Sequence, residues 1–380
     1  MKPYTKDELA AVHAARKEKL LAYMRGHGIS AAVFEDTEGR RSPAVRYYSG
    51  HPSDALLIVS ADGRTTLVPW DEHLARRRAT GCDIIPSSAF GRNSVTAVSA
   101  VLGSFGISGR KTVDIPPETP YPRFLAYVDE LGGWDVRCRE NSVHDFVTEQ
   151  RACKDDYEIA CTKEAARVGD MIIDEIETGL RNGSLKTECD VALLIERECR
   201  RHGCERTGFD TLAAGPERSW AIHAFPGYTD APWGTGGLSI LDFGVVYEGY
   251  TSDTTVTVAK SPLSAEQETL VALVEQAARE ALPLYREGLP VSGAAKAAED
   301  VFAAARRRMP HTLGHGIGLE IHEYPRVSGN GEKTLFKAGM IVTLEPGLYD
   351  PALGGVRLEN DVLITETGNE VLTHARIIRC

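Results

Sequence analysis

Two aspartates lie in strand-like segments on either side of a tight turn. The segment from Leu238 to Val258 is rich in Ile, Leu, Val, Tyr and Thr and has Glu248-Gly249 near its middle, which predicts a β-hairpin. Asp242 and Asp253 lie at nearly equal distances from the turn, so antiparallel pairing is expected to bring them opposite or almost opposite each other. Two carboxylates this close repel unless a proton or a cation lies between them. The spacing therefore indicates a metal site.

A second pair of acids repeats the arrangement later in the chain. The apolar runs 340–345 and 355–364 flank a loop rich in Pro and Gly, which predicts another hairpin. Glu345 and Glu359 are symmetric about Ala352, so their carboxylates are expected to face each other. Arg357 is two residues from Glu359 and projects from the same face.

A histidine in a glycine-rich stretch supplies a nitrogen ligand. His315 lies in HTLGHGIG, and His322 follows seven residues later. Asp242 and Glu345 adjoin apolar residues, where an unpaired carboxylate would be costly. One imidazole and four carboxylates suit Mn²⁺, Co²⁺, Fe²⁺ or Zn²⁺, and a shell without thiolates argues against structural zinc. Two such ions can bridge a water and lower its pKa, which provides hydroxide near neutral pH.

Pairs of helices precede both hairpins and must position them. The predicted helices run from Lys154 to about Leu180, from Thr187 to His202, from Ser264 to about Glu287 and from Ser292 to about Arg308. The order is helix pair, hairpin with two Asp, helix pair, hairpin with two Glu. This internal pseudo-twofold repeat predicts an α+β unit at 149–380 whose two halves enclose a central cleft.

The first part of the chain, 1–148, alternates short apolar strands with helices and predicts a separate α/β domain. Asp62-Gly63 indicates a hairpin between two of its strands. No motif in this domain points to chemistry, and Gly103, Gly106 and Gly109 do not have phosphate-loop spacing. The domain is expected to support dimerisation and to wall the mouth of the active site.

Composition excludes several classes of protein. The 380 residues are 42% hydrophobic and 26% charged, with a net charge of −11, which argues against a nucleic-acid partner. We expect no signal peptide, because charges recur through the first twenty residues, and no membrane span, because no apolar run reaches about 20 residues. The eight scattered cysteines indicate reduced thiols and a cytoplasmic location.

The motifs LDFGVVYEGYTSDTT, HTLGHGIGLEIHEYP, LEPGLY and GGVRLEND together resemble a known family. They are similar to the pita-bread-fold dinuclear metallopeptidases, the group of methionine aminopeptidase, creatinase and prolidase. The Ile-His-Glu context of His322 and the long preceding region are similar to the Xaa-Pro dipeptidase and aminopeptidase branch. The resemblance implies a creatinase-like N-terminal domain and a pita-bread catalytic domain. It implies five metal ligands, namely Asp242, Asp253, His315, Glu345 and Glu359.

The resemblance also implies roles for further residues. Glu345 would take and return the proton of the attacking water, and His322 would steady the substrate and the tetrahedral intermediate. Arg357 would brace the metal-binding acids, and His223 would lie on the substrate side. From the sequence itself, His311 is assigned to substrate binding, and the alternatives are a group that supports the metal ligands from behind or a core histidine. Two ions per chain are expected, with Mn²⁺ preferred over Co²⁺, Zn²⁺ or Fe²⁺.

The expected activity is hydrolysis of the bond preceding proline in a dipeptide or longer peptide, by a homodimer. Two departures concern specificity: the stretch after Asp253 has no arginine, and the segment around His223 lacks the usual Pro-His pair. Hydrolysis of a non-peptide C–N bond, as in creatinase-like or ectoine-hydrolase-like relatives, is therefore the alternative. A non-enzymatic binding module is a third reading, but such modules have typically lost the metal ligands.

Overall fold

The computed structural model describes residues 4–109, 111–233, 236–330 and 333–380. The chain forms two compact units, Lys2–Gln150 and Arg151–Cys380. Residues 1–3 of the expected first domain lie outside the described part. The boundary at 150/151 falls within the helix Val143–Ala152. Within the described residues, no helix is both long enough and apolar enough to cross a membrane.

The first unit is a mixed six-stranded sheet with helices, as an α/β domain requires. Its helices are α1 Lys6–Gly26, α2 Pro43–Ser49, α3 Glu72–Arg78, α4 Ser94–Ser104, α5 Tyr121–Glu130 and α6 Val143–Ala152. Its strands are β1 Ala31–Asp36, β2 Ala55–Ser60, β3 Thr65–Pro69, β4 Asp83–Ile84, β5 Thr112–Asp114 and β6 Asp135–Arg137. The sheet order is β4-β3-β2-β1-β5-β6, and the predicted hairpin at Asp62-Gly63 joins β2 to β3.

The second unit has two helix pairs, and three of its four helices begin with a capping box. These helices are α7 Asp156–Asn182, α8 Glu188–Arg201, α9 Ala265–Ala281 and α10 Val291–Ala304. The caps of α7, α8 and α9 are Asp155, Thr187 and Ser264. The side chain of each cap residue accepts a hydrogen bond from the backbone N–H three residues later. The side chain of that later residue accepts a hydrogen bond from the backbone N–H of the cap. Both bonds satisfy N–H groups that the start of a helix leaves unpaired. α10 ends four residues before the predicted position, because Arg306 adopts a left-handed φ of 55°.

The strands of the second unit follow each helix pair. The first set is β7 Arg206–Thr207, β8 Leu212–Ala214, β9 Gly237–Phe243, β10 Val245–Tyr247, β11 Tyr250–Thr251 and β12 Thr254–Lys260. The second set is β13 Gly314–Gly316, β14 Glu323–Val327, β15 Ile341–Leu344, β16 Gly347–Asp350, β17 Gly354–Arg357, β18 Asn360–Thr365, β19 Gly368–Val371 and β20 Ile377–Arg379. Two short 3₁₀ turns, Ser87–Phe90 and Leu282–Leu284, complete the chain's elements.

Two sheets with similar helical coverings form the body of this unit. The sheet β20-β12-β9-β8 packs against α7 and α8 through residues such as Ile172, Ile195 and Val256. The sheet β14-β13-β15-β18-β19 packs against α9 and α10 through residues such as Phe302 and Val342. Apolar side chains of one sheet face and one stripe of each helix are thereby removed from water. The predicted repeat of helix pair and acid-bearing hairpin is confirmed.

Candidate metal centre and active site

The first hairpin carries Asp242 and Asp253 on one face. Glu248 and Gly249 form its turn, with left-handed φ angles of 47° and 91° that suit a two-residue hairpin. Asp242 pairs with Thr255, and Asp253 precedes Thr255 by two residues. Because side chains alternate along a strand, Asp242, Asp253 and Thr255 share one face, and Asp242 and Asp253 are diagonal neighbours on it. The turn is nearer to Asp253 than to Asp242, which explains why they are not direct partners.

The second hairpin brings Glu345 and Glu359 across from each other, as the symmetry of the sequence predicts. Leu344 pairs with Asn360, and continuing this register by one residue on each strand places Glu345 opposite Glu359. The Glu359 N–H donates to the Thr255 carbonyl at 3.1 Å, and these residues form an isolated bridge. This bridge joins the two acid-bearing hairpins directly.

His315 is held in β13 by backbone packing that only glycine permits. A Cβ at Gly314 would overlap the Thr343 carbonyl oxygen, so β13 can approach β15 closely. The His315 N–H donates to Thr343 Oγ1 at 3.1 Å. His315 Nδ1 lies 3.1 Å from the Gly316 carbonyl, which can only accept, so Nδ1 carries the hydrogen. In the neutral ring, Nε2 therefore has the free lone pair.

That lone pair faces the acids. His315 Nε2 is 3.6 Å from Asp253 Oδ2 and 3.5 Å from Glu345 Oε1. Ligand atoms of Asp253, His315 and Glu359 all lie within 4.8 Å of one another. The structure thus brings acids from both hairpins together around one imidazole.

Arg357 holds Asp242, the remaining acid of the four. Its Nη2 donates to Asp242 Oδ2, its Nε donates to Thr255 Oγ1 at 2.9 Å, and Nε lies 3.9 Å from Glu359 Oε2. Asp242 Oδ1 is buried and has no hydrogen-bond partner among the residues that the structure describes. A buried carboxylate oxygen without a donor is suited to a cation.

Crowding changes the proton affinity of the cluster. Burial, followed by repulsion from Glu359, raises the pKa of Asp253 and of Glu345 well above their usual values. Burial and repulsion from Asp242 raise the pKa of Glu359 to about 7. Burial lowers the pKa of His315 to about 4, so its ring is neutral. At neutral pH these groups require shared protons or bound cations.

The donor set fits divalent metal ions. An oxygen-rich shell with one neutral imidazole suits Mn²⁺, Co²⁺, Fe²⁺ and Zn²⁺. The residues that would hold them are the five predicted from the sequence: Asp242, Asp253, His315, Glu345 and Glu359.

Asp361 is a buried acid next to this cluster that the sequence did not single out. Its Oδ2 accepts the Asp253 N–H at 3.0 Å, and its own N–H donates to Thr373 Oγ1 at 2.8 Å. Burial raises its pKa well above the usual value. An Asp in a predicted strand gives no local signal, because its importance depends on a partner 108 residues away.

A chain of hydrogen bonds connects Arg357 to His311. Arg357 Nη1 donates to Tyr349 Oη at 2.8 Å, and Tyr349 Oη lies 3.0 Å from His311 Nε2. His311 Nδ1 donates to the Thr312 carbonyl at 2.8 Å, so Nε2 accepts from the tyrosine. Burial lowers the pKa of His311 to about 4 and raises that of Tyr349 to about 12. His311 Nδ1 is also 3.7 Å from Glu345 Oε2. The sequence identified His311 but not Tyr349.

A cavity of about 1110 Å³ opens onto the acids. His322 and His223 line it with exposed side chains, and the His322 ring is T-shaped on His315 at a centroid distance of 4.3 Å. Burial, followed by the charge of His223, lowers the pKa of His322. Arg326, another residue that the sequence did not indicate, is exposed and lines the same cavity. Apolar lining comes from Ile222, Phe209, Phe225 and Tyr228 among others.

Two halves that each carry an acid-bearing hairpin, with a metal-compatible cluster between them, define a metallohydrolase site. The chain belongs to metallopeptidase family M24, whose family model matches residues 160–366. Residues 16–135 match the creatinase/prolidase N-terminal domain. The resemblance and the fold class predicted from the sequence are confirmed.

Similar proteins support this assignment over almost the whole chain. The chain is 34% identical over 366 residues to the Xaa-Pro dipeptidase of Pyrococcus furiosus, covering 94% of this chain and 97% of the relative. The X-Pro aminopeptidase structure from Thermotoga maritima superposes with a TM-score of 0.83 at 25% identity, covering 96% and 99% of the chains. The Xaa-Pro dipeptidase structure from Bacillus anthracis gives 0.82 at 26% identity, covering 97% and 100%. As a member of a metallopeptidase family, the chain uses divalent metal ions.

Proposed function

We propose that this chain hydrolyses the peptide bond preceding proline and that its substrates are Xaa-Pro dipeptides. The observation that carries the proposal is the convergence of four acids and one neutral imidazole at the base of a cavity. Two of the similar proteins are Xaa-Pro dipeptidases and one is an X-Pro aminopeptidase, so all three support cleavage before proline and two support a dipeptide substrate.

Asp242, Asp253, His315, Glu345 and Glu359 would hold two divalent ions, for which we propose Mn²⁺. Ions bound there supply Lewis acidity and lower the pKa of water, which makes a nucleophile available near neutral pH. The buried Asp242 oxygen and the raised carboxyl pKa values support this assignment.

The protein's own groups would handle the protons and the substrate. Glu345, itself one of the proposed ligands, would also be the base that takes a proton from water and returns it to the leaving prolyl nitrogen. His322 is neutral and exposed to the cavity, so its N–H can donate to the substrate carbonyl. His223 and His311 line the substrate side, and Arg357 fixes Asp242.

Arg326 supports the dipeptide preference. In an Xaa-Pro dipeptide, the terminal carboxylate lies one residue from the scissile bond and needs a cation close to the reacting atoms. Arg326 is exposed in the cavity, four residues from His322, whereas Arg357 is buried and already paired with Asp242.

We also propose domains at 1–148 and 149–380, a cytoplasmic location and a homodimer. The eight cysteines are all free thiols, which supports a reducing compartment. Light scattering of the purified protein in the presence of reductant measures the oligomer directly.

A substrate panel tests the function. Metal-stripped protein is assayed with and without Mn²⁺ on Ala-Pro, Ala-Pro-Ala and Ala-Ala, with Asp253→Asn as the control. We expect metal-dependent cleavage of Ala-Pro above Ala-Pro-Ala, none of Ala-Ala, and loss of activity in the variant. Cleavage of none of the three would refute the peptidase assignment and return the question to small amides.

A further inference from the structure

The loop Gly215–Thr229 connects β8 towards β9 and carries a large part of the cavity wall. His223, Phe225 and Tyr228 lie in it, and all three line the cavity. Phe225 is 98% exposed, so the tip of the loop has little packing of its own. A loop of this length with fixed ends is an Ω-loop, whose shape depends on how its ends are held.

One buried carboxylate closes both ends of this loop. Glu188, at the start of α8, is 1% exposed. Its Oε1 accepts the Gly215 N–H at 2.7 Å. Its Oε2 accepts the Thr229 N–H and hydroxyl, each at 2.7 Å, and pairs with Arg218 Nη1. Among the described residues, each hydrogen bond that this carboxylate accepts comes from the loop, and its charge is matched by the Arg218 guanidinium of the loop.

The body of the loop is tied to the metal centre. Arg218 Nη2 donates to the Pro226 carbonyl, which links the closing carboxylate to the tip. Ser219 Oγ is bonded to backbone groups of β9 and β17 at 2.7 and 3.0 Å. The Ile222 carbonyl accepts from Arg357 Nη1 at 3.1 Å, and Arg357 also binds Asp242. His223 thus follows a residue whose backbone is held by the same guanidinium that holds a metal-binding acid.

We infer that Glu188 is a positioning residue for substrate recognition, acting through the loop that it closes. The inference rests on the proposed peptidase function for its kinetic consequences. With Glu188 in place, His223 and Phe225 are held at the cavity wall. Without it, the ends keep only backbone hydrogen bonds such as Ala213 N–H to Gly227 and Cys189 N–H to Thr229, so the loop is held less firmly and the substrate less well. The metal ligands lie on other elements and keep their geometry. A displacement of about 1 Å in a positioning group can lower kcat/KM by up to about 100-fold.

Glu188→Gln tests this with little change in size, because the amide nitrogen cannot accept the N–H groups that the carboxylate oxygen accepts. Glu198→Gln is the matched control: Glu198 is on the same helix, is 3% exposed and pairs with Arg197 and Arg201 instead of the loop. Arg218→Met removes the ion pair with Glu188 and the hydrogen bond to the Pro226 carbonyl but leaves the Glu188 contacts with Gly215 and Thr229, and it serves as the second variant if Glu188→Gln folds poorly.

Two measurements decide the role. Chymotrypsin should cut after Trp220 and Tyr228 faster in Glu188→Gln than in Glu198→Gln, with metal content unchanged in both. KM for Ala-Pro should rise in Glu188→Gln, and this rise should vanish in a His223→Ala background, because both changes act on the same contact. Equal proteolysis in the two variants, or additive effects with His223→Ala, would overturn the inference. If the wild-type chain does not cleave Ala-Pro, the proposed function fails, and the proteolysis comparison still decides whether Glu188 holds the loop.

Discussion

Replacing Glu359 by Gln is predicted to stabilise the metal-free protein above neutral pH. The folded-state pKa of Glu359 is about 7, against an ordinary value of 4.5, because burial and Asp242 disfavour its charge. An acid with a raised folded pKa stabilises the fold fully below pH 4.5 and loses this contribution as pH rises through 7. At 1.36 kcal/mol per pKa unit, the shift from 4.5 to about 7 makes the charged carboxylate cost the folded state about 3 kcal/mol above pH 7. The amide removes the charge and its carbonyl still accepts the Thr255 hydroxyl.

Glu323 provides a matched control of opposite sign. The side chain of this carboxylate is also largely removed from water, but Arg151 and Lys154 lower its pKa to about 2. An acid with a lowered folded pKa stabilises the fold above pH 4.5, and this contribution is lost as pH falls towards 2. Glu323→Gln should therefore destabilise the protein by about 3 kcal/mol at pH 8.

Urea unfolding of metal-free protein at pH 5 and pH 8 measures these effects. We expect Glu359→Gln to raise the free energy of unfolding at pH 8 and to leave it nearly unchanged at pH 5. Added Mn²⁺ should stabilise the wild type much more than this variant, because binding to the folded state alone adds stability. A loss of stability in metal-free Glu359→Gln at pH 8 would refute the view that the acid cluster is strained without cations.

Two further changes address the groups that surround the ligands. Tyr349→Phe removes the hydroxyl between Arg357 and His311. Kinetics should show kcat lowered by about tenfold, and metal analysis should show unchanged metal content. An unchanged kcat would exclude a role for this hydrogen-bond chain. Arg326→Met should raise KM for Ala-Pro but hardly affect Ala-Pro amide, and an equal rise for both substrates would exclude a contact with the terminal carboxylate.

Local sequence rules were sufficient for the ligand-bearing hairpins. The Glu248-Gly249 turn and the symmetry of the second hairpin placed each acid on the correct strand and face. The register of the first pair depends on where the turn is centred, and the structure places Asp253 diagonal to Asp242.

The residues that sequence reasoning missed act through distant partners. Tyr349, Asp361 and Glu188 are ordinary polar residues when read in order along the chain. Their roles come from contacts with His311, with the Asp253 N–H and with both ends of a loop, which only tertiary packing brings together. Hydrogen-bond partners more than about 25 residues apart in the chain have no signature in local periodicity.

A metal titration shows whether the five proposed ligands together hold catalytic metal. Stripped protein is titrated with Mn²⁺ while bound ions per chain and Ala-Pro hydrolysis are measured on the same samples. We predict binding of two ions per chain, with activity rising as they bind, and loss of both binding and activity in Asp253→Asn. Full activity in protein without bound metal, or unchanged binding in Asp253→Asn, would exclude a catalytic metal site at these five residues.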